Sequence, residues 1–121
     1  MIKSSNSKPY DLEERTFQFA KAVTLYVKKL PKSTSNAEYG VQVVKASGSV
    51  GANYREANEA LGKKDFLMRV KISRKEAKES AYWLRLIVET NDGQYGNEGT
   101  ELMNEAVELK KTLSSIICKS E

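Results

Sequence analysis

The 121 residues contain no histidine, one cysteine and two prolines, and aromatic side chains make up 8% of the chain. Without histidine there is no Ser-His-Asp or Cys-His nucleophile, no HExxH zinc site and no Glu-x-x-His motif of the di-iron bundles. The lone Cys118 forms neither an internal disulfide nor a thiolate metal site, a usage that fits a reducing compartment. No stretch approaches the roughly 18 uncharged apolar residues of a membrane span. The opening MIKSSNSKPYD also lacks the apolar core of a secretion signal. These absences predict a cytoplasmic protein with no membrane partner, no metal and no cofactor.

What is present suits a single helix-rich domain. Hydrophobic residues reach 40% and charged residues 30%, enough apolar surface for one core at this chain length. Lys and Arg outnumber Asp and Glu by 20 to 16, a formal net charge of +4 that favours polyanionic partners.

Residues 1–10 read as a polar tail, 11–117 as the folded unit and 118–121 as a C-terminal tail. Asp11 with Glu14 resembles a capping box, and Leu12, Thr16, Phe19, Val23, Val27 and Leu30 then recur every three or four residues until Pro31. Ser35 with Glu38 offers a second box. The spacing of Val43, Ser47, Val50, Tyr54, Ala57 and Leu61 predicts a helix over 36–61, with Gly62 closing it in a left-handed conformation. A third helix starts at the KKD turn, with Phe66, Val70, Ala77, Ala81, Leu84 and Val88 on its main stripe. Leu67, Trp83, Leu86 and Ile87 form a second apolar set, which points to a subunit interface. After NDGQYGNEG, Leu102, Ala106, Leu109, Leu113 and Ile116 mark a fourth helix. Four helices joined by short connections make an antiparallel up-down-up-down bundle the economical all-α fold.

Three features carry candidate chemistry. Glu56 and Glu59 lie three apart on one helix, but acid-base or metal chemistry needs crowding or further ligands that the neighbouring stripes do not supply, so no catalytic residue is assigned. The glycines of SGSVGANY match no phosphate loop and read as a close helix crossing. Between residues 63 and 78, by contrast, Lys63, Lys64, Arg69, Lys71, Arg74, Lys75 and Lys78 face only Asp65 and Glu76. That clustering is what phosphate binding requires.

The segments SGSVGANYREANEALGKKDF and ISRKEAKESAYWLRLI resemble the signature of bacterial four-helix-bundle proteins named for 23S ribosomal RNA intervening sequences. The resemblance spans about residues 11–117. It implies a left-handed bundle that assembles as a ring-like homopentamer, without enzymatic activity. It also implies kinship with the accessory variability proteins of diversity-generating retroelements, basic pentamers understood to bind nucleic acid and a reverse transcriptase. Gly62 and Ser73 depart from the family pattern, where a Ser-like cap and Ala are common.

The primary expectation is an oligomeric, non-enzymatic protein that holds structured RNA or DNA through Arg55, Lys63, Lys64, Lys71, Arg74, Lys75 and Lys78. Glu56, Asn58, Glu59, Tyr82, Trp83 and Leu86 are the candidates for oligomer or partner contacts. Sequence-specific readout is not expected, because no aromatic residue interleaves with the basic run. The alternative is a structural adaptor whose oligomer engages a protein partner and no nucleic acid.

Overall fold

A computed structural model describes residues 9–121, which form four helices: α1 (Pro9–Lys29), α2 (Thr34–Asn58), α3 (Lys63–Thr90) and α4 (Gly96–Ser120). A short 3₁₀ turn, Gly93–Tyr95, precedes α4. There is no strand among the described residues. α3 packs against both α2 and α4, and α1 closes the bundle against the same two helices. Contacts fix the directions. Glu13 meets Asn58 and Val27 approaches Gly40 across α1–α2; Ser73 meets Val50 and Asn91 meets Asn36 across α2–α3; Arg74 meets Ser114 and Val88 approaches Gly99 across α3–α4. Each pairing falls in one chain as it rises in the other, so consecutive helices run antiparallel.

The core is where the periodicity placed it, with local shifts. Tyr26, Leu84, Ile87, Leu109 and Leu113 have no exposed surface, and Val23, Val43, Val50 and Val70 join them. Burying each large aliphatic side chain contributes about 1.5–3 kcal/mol. On α3 the buried stripe runs Val70, Ser73, Ala77, Ser80, Leu84 and Ile87. Phe66, Ala81 and Val88, expected at its centre, are half-buried at its edges, and Ile117 rather than Ile116 is the buried residue of the last turn of α4.

The buried serines are tolerated because each hydroxyl finds a carbonyl. Ser73 donates to Val50 O at 2.6 Å, tying α3 to α2, and Ser80 donates to Glu76 O at 2.9 Å. Asn36 and Asn91 donate to each other's side-chain oxygens at 2.9 and 2.8 Å, and their remaining amide hydrogens reach Pro31 O and Ile87 O. This pair joins the start of α2 to the end of α3.

Helix ends differ from the sequence expectation. α1 already starts at Pro9, a residue suited to a first turn, so Asp11 lies inside that turn rather than capping it. Ser33, not Ser35, caps α2, accepting from the Asn36 N–H at 3.0 Å. α2 ends at Asn58, before Leu61, which is fully exposed and packs on nothing. Gly62 is the N-cap of α3, in extended backbone with φ −152°, and its carbonyl accepts from Phe66 N–H; no left-handed glycine closes α2. α4 continues through Ser120, so residues 118–120 belong to the helix. Of the expected N-terminal tail, residues 1–8 lie outside the described residues.

Candidate nucleic-acid interface

Helical period places Lys64, Lys71, Lys75 and Lys78 on the outer side of α3, and all four are exposed. Lys63 joins them at the helix N-terminus, where its charge and that of Lys64 oppose the macrodipole and Asp65 is the only acidic residue of the first turn. Two members of the set are engaged internally. The Arg74 Nη1 donates to Ser114 Oγ at 3.4 Å, and Lys71 Nζ lies 3.3 Å from Glu121 Oε2. Lys63, Lys64, Lys75 and Lys78 enter no ion pair among the described residues.

The α3–α4 register adds a cation that the linear run does not contain. Because Arg74 meets Ser114 and the helices are antiparallel, one turn onward the register brings the turn of Lys110 level with that of Lys78; Lys110 is half-buried and also has no ion-pair partner among the described residues. Lys110 is 32 positions from Lys78 in sequence, so only the packing of α4 on α3 brings it in. The seam therefore presents Lys75, Lys78 and Lys110 together, next to the partly neutralised Lys71 and Arg74.

Arg55 belongs to a different edge. Its Nη1 lies 3.2 Å from Glu13 Oε1 on α1, and the same carboxylate accepts from Asn58 Nδ2 at 2.8 Å. Glu13 thus ties the end of α2 to the start of α1, with Tyr54 buried beneath; burial pushes the Tyr54 phenol up, against the hydrogen bond to Asn58. Arg69, also in the basic run, turns toward α2 and donates to Asn53 Oδ1 at 3.0 Å. Glu56 and Glu59 are exposed. No group of three or more carboxylate or thiol side chains converges to hold a metal among the described residues.

The aromatic residues form a chain across α2 and α3. Trp83 is half-buried, tilted against Tyr39 of α2 with ring centroids 6.0 Å apart. Tyr82 meets Trp83 edge to face at 5.1 Å and is 59% exposed. Leu86 is half-buried one turn further on. Tyr82 lies four residues after Lys78 and seven after Lys75, so it shares their face. Tyr82 thus stands just beyond the basic run rather than within it.

A separate open groove of about 720 Å³ runs along the α1–α2 seam. Val27, Val41 and Val44 form its floor, Lys28, Lys32 and Lys45 line it too, and it contains no Asp or Glu. With no converging acid, base or nucleophile, it offers a contact surface rather than a reaction centre. No helix among the described residues is long and apolar enough to cross a membrane.

Comparison with known proteins gives the same architecture. A solved structure of a protein of unknown function from the S23 ribosomal protein family of Bacteroides thetaiotaomicron matches with a TM-score of 0.71 and 31% identity, over 90% of this chain and 96% of that one. No curated protein matches the chain. The family described as 23S rRNA-intervening sequence protein matches residues 9–115, nearly the whole four-helix unit. The chain belongs to the 23S rRNA-intervening sequence protein family.

Proposed function

We propose that this protein is a non-enzymatic nucleic-acid-binding bundle that works as a homo-oligomer, a pentamer by family resemblance. The observation that carries the reading is the set of cations left without acidic partners on the outer face of α3 and its seam with α4: Lys64, Lys75, Lys78 and Lys110, flanked by Lys71 and Arg74. A basic surface that only solubilised the protein would be served equally well by lysines interspersed with carboxylates. Here the outer face of α3 from Lys63 to Lys78 keeps Asp65 and Glu76 to one side of the line of lysines, and Glu79, next to Lys78, is the one exposed carboxylate beside it. Exposed apolar side chains, Phe17, Leu25, Val41 and Met68 among them, support assembly with further copies.

The test is fluorescence-anisotropy titration of a structured ribosomal RNA hairpin and a duplex DNA of equal length. If four cations engage phosphates, affinity falls about 100-fold between about 50 and 200 mM salt. Reversing charge at Lys71, Arg74, Lys75 and Lys78 together abolishes binding while helicity by circular dichroism is kept. Retained binding in that variant removes these residues from the site.

The second reading, an adaptor that engages a protein partner, is favoured by the α1–α2 groove, whose apolar lining stays open among the described residues. The Glu56, Asn58 and Glu59 segment would then supply polar contacts. Absence of nucleic-acid binding at low salt selects it.

A further inference from the structure

We infer that Tyr82 is a stacking platform for unpaired bases, so that the basic seam takes single-stranded nucleic acid in preference to a plain duplex. This rests on the nucleic-acid reading above and deepens it. Three observations carry it.

The first is exposure: Tyr82 is 59% accessible, although it is an aromatic residue on a helix whose other aromatics, Phe66 and Trp83, are half-buried. The second is support. Its ring is braced edge to face by Trp83, which is itself braced by Tyr39, so the phenol is held from one side and open on the other. A ring already fixed loses little freedom when a base stacks on it. The third is the charge around it. Lys78 lies one turn before Tyr82 and Lys75 two turns before, both without ion-pair partners among the described residues, with the exposed Glu79 beside Lys78. Arg85 lies one turn after, paired with Glu89 at 3.0 Å. A strand whose phosphates follow Lys75 and Lys78 therefore brings a base to Tyr82. In a duplex the bases are stacked on one another and have no free face to offer.

Stacking is tolerant of base identity because every base has a π-face, so no sequence code follows from this arrangement. The RNA and DNA arms of the experiment differ in the 2′-hydroxyl and in the C5 methyl of thymine.

The experiment titrates the full chain with labelled oligouridylate, oligodeoxythymidylate and an RNA duplex of equal length, at several salt concentrations, using wild type, Tyr82→Ala, Tyr82→Phe and Lys75→Glu/Lys78→Glu. Wild type is expected to bind at least one single strand more tightly than the duplex. Tyr82→Ala weakens single-strand binding about 5- to 100-fold with the salt slope unchanged, while Tyr82→Phe, which keeps the ring, holds wild-type affinity. The double lysine variant instead flattens the salt slope for single strands by about 1.4.

Wild-type affinity in Tyr82→Ala, together with loss in the lysine variant, overturns the platform and leaves the nucleic-acid reading standing. No binding by wild type to any of the three probes overturns the platform, and no binding to the hairpin and duplex DNA as well overturns the nucleic-acid reading with it. If Tyr82→Ala loses binding but also changes the assembled mass in light scattering, the platform is overturned, because Tyr82 then acts through subunit contact.

Discussion

Two glycines three residues apart on α2, Gly48 and Gly51, should respond to alanine in opposite directions. Both lie mid-helix, where glycine costs about 1 kcal/mol against alanine in any exposed or roomy position. At Gly48 an added methyl meets no atom within 4 Å, so Gly48→Ala gains most of that propensity, about 0.5–1 kcal/mol. At Gly51 the same methyl sits 2.9 Å from Thr16 Oγ1 and 3.3 Å from Thr16 Cβ on α1, with Thr16 backbone carbon 3.6 Å away. Thr16 cannot simply turn aside. It is fully buried, and its hydroxyl donates to Leu12 O at 2.9 Å and Glu13 O at 3.0 Å.

Overpacking at such a site costs about 1–3 kcal/mol, which outweighs the propensity gain and leaves Gly51→Ala destabilised by up to about 2 kcal/mol. With about 4 °C per kcal/mol at this chain length, Gly48→Ala should raise the melting temperature by about 2–4 °C and Gly51→Ala should lower it by up to about 8 °C. Thermal and urea unfolding of both variants, followed by circular dichroism, measures the contrast. Combining Thr16→Ala with Gly51→Ala should cost less than the two single changes added, because the clash is removed. Equal effects at the two glycines would refute the assignment of Gly51 as the contact between α1 and α2. Destabilisation by Gly48→Ala would show that a second helix, from another copy, already lies on that face.

Two further outcomes follow from buried polar groups. Burial, with a smaller contribution from Glu98, pushes the Tyr26 phenol up to about 12, while the unfolded chain releases that proton near 10. The raised folded value means its stabilising effect is complete below pH 10 and is lost as pH climbs toward 12, roughly 1–2.5 kcal/mol in total. The urea-midpoint advantage of wild type over Tyr26→Phe, which lacks the hydroxyl that donates to Tyr95 O at 2.8 Å, should therefore shrink across that window; a pH-independent difference would contradict it. Replacing Asn91 by Ala strips Asn36 of both hydrogen bonds that the two side chains share and should cost about 1–3 kcal/mol. The Asn36→Ala, Asn91→Ala double variant should cost less than the two singles added, and strict additivity would mean the pair does not act as one latch.

The extent to which the fold was legible differs from element to element. The apolar stripes of α1 and α4 were readable because a three-to-four spacing of large aliphatics has no other economical use. The helix ends were less so. Ser33 and Ser35 are equally good caps in isolation, and the choice went to Ser33, which lets Asn36 reach Pro31 and Asn91. Gly62 fits the end of one helix or the start of the next, and the extended approach to α3 settled it. Leu61 matched the α2 spacing yet is fully exposed, since α2 had already ended.

The candidate site divides in the same way. Lys63 to Lys78 stood out as a run, because local charge density is a property of the chain itself. Lys110 and the separation of Arg55 were invisible, because they depend on which helix faces which.

By itself the sequence determined the all-helical class, the four apolar stripes, the lack of histidine chemistry and the excess of positive charge. Each of these is set by residue types at short spacing, and short-range period survives without any neighbour. The tertiary structure alone decided the register. It put Gly51 against Thr16, Ser114 against Arg74, which brings the Lys110 turn level with Lys78, and Arg55 onto Glu13, and it left Tyr82 exposed on the face of the lysines. Those choices depend on packing between helices far apart in the chain, where one turn of sliding changes every facing pair while leaving the pattern within each helix intact.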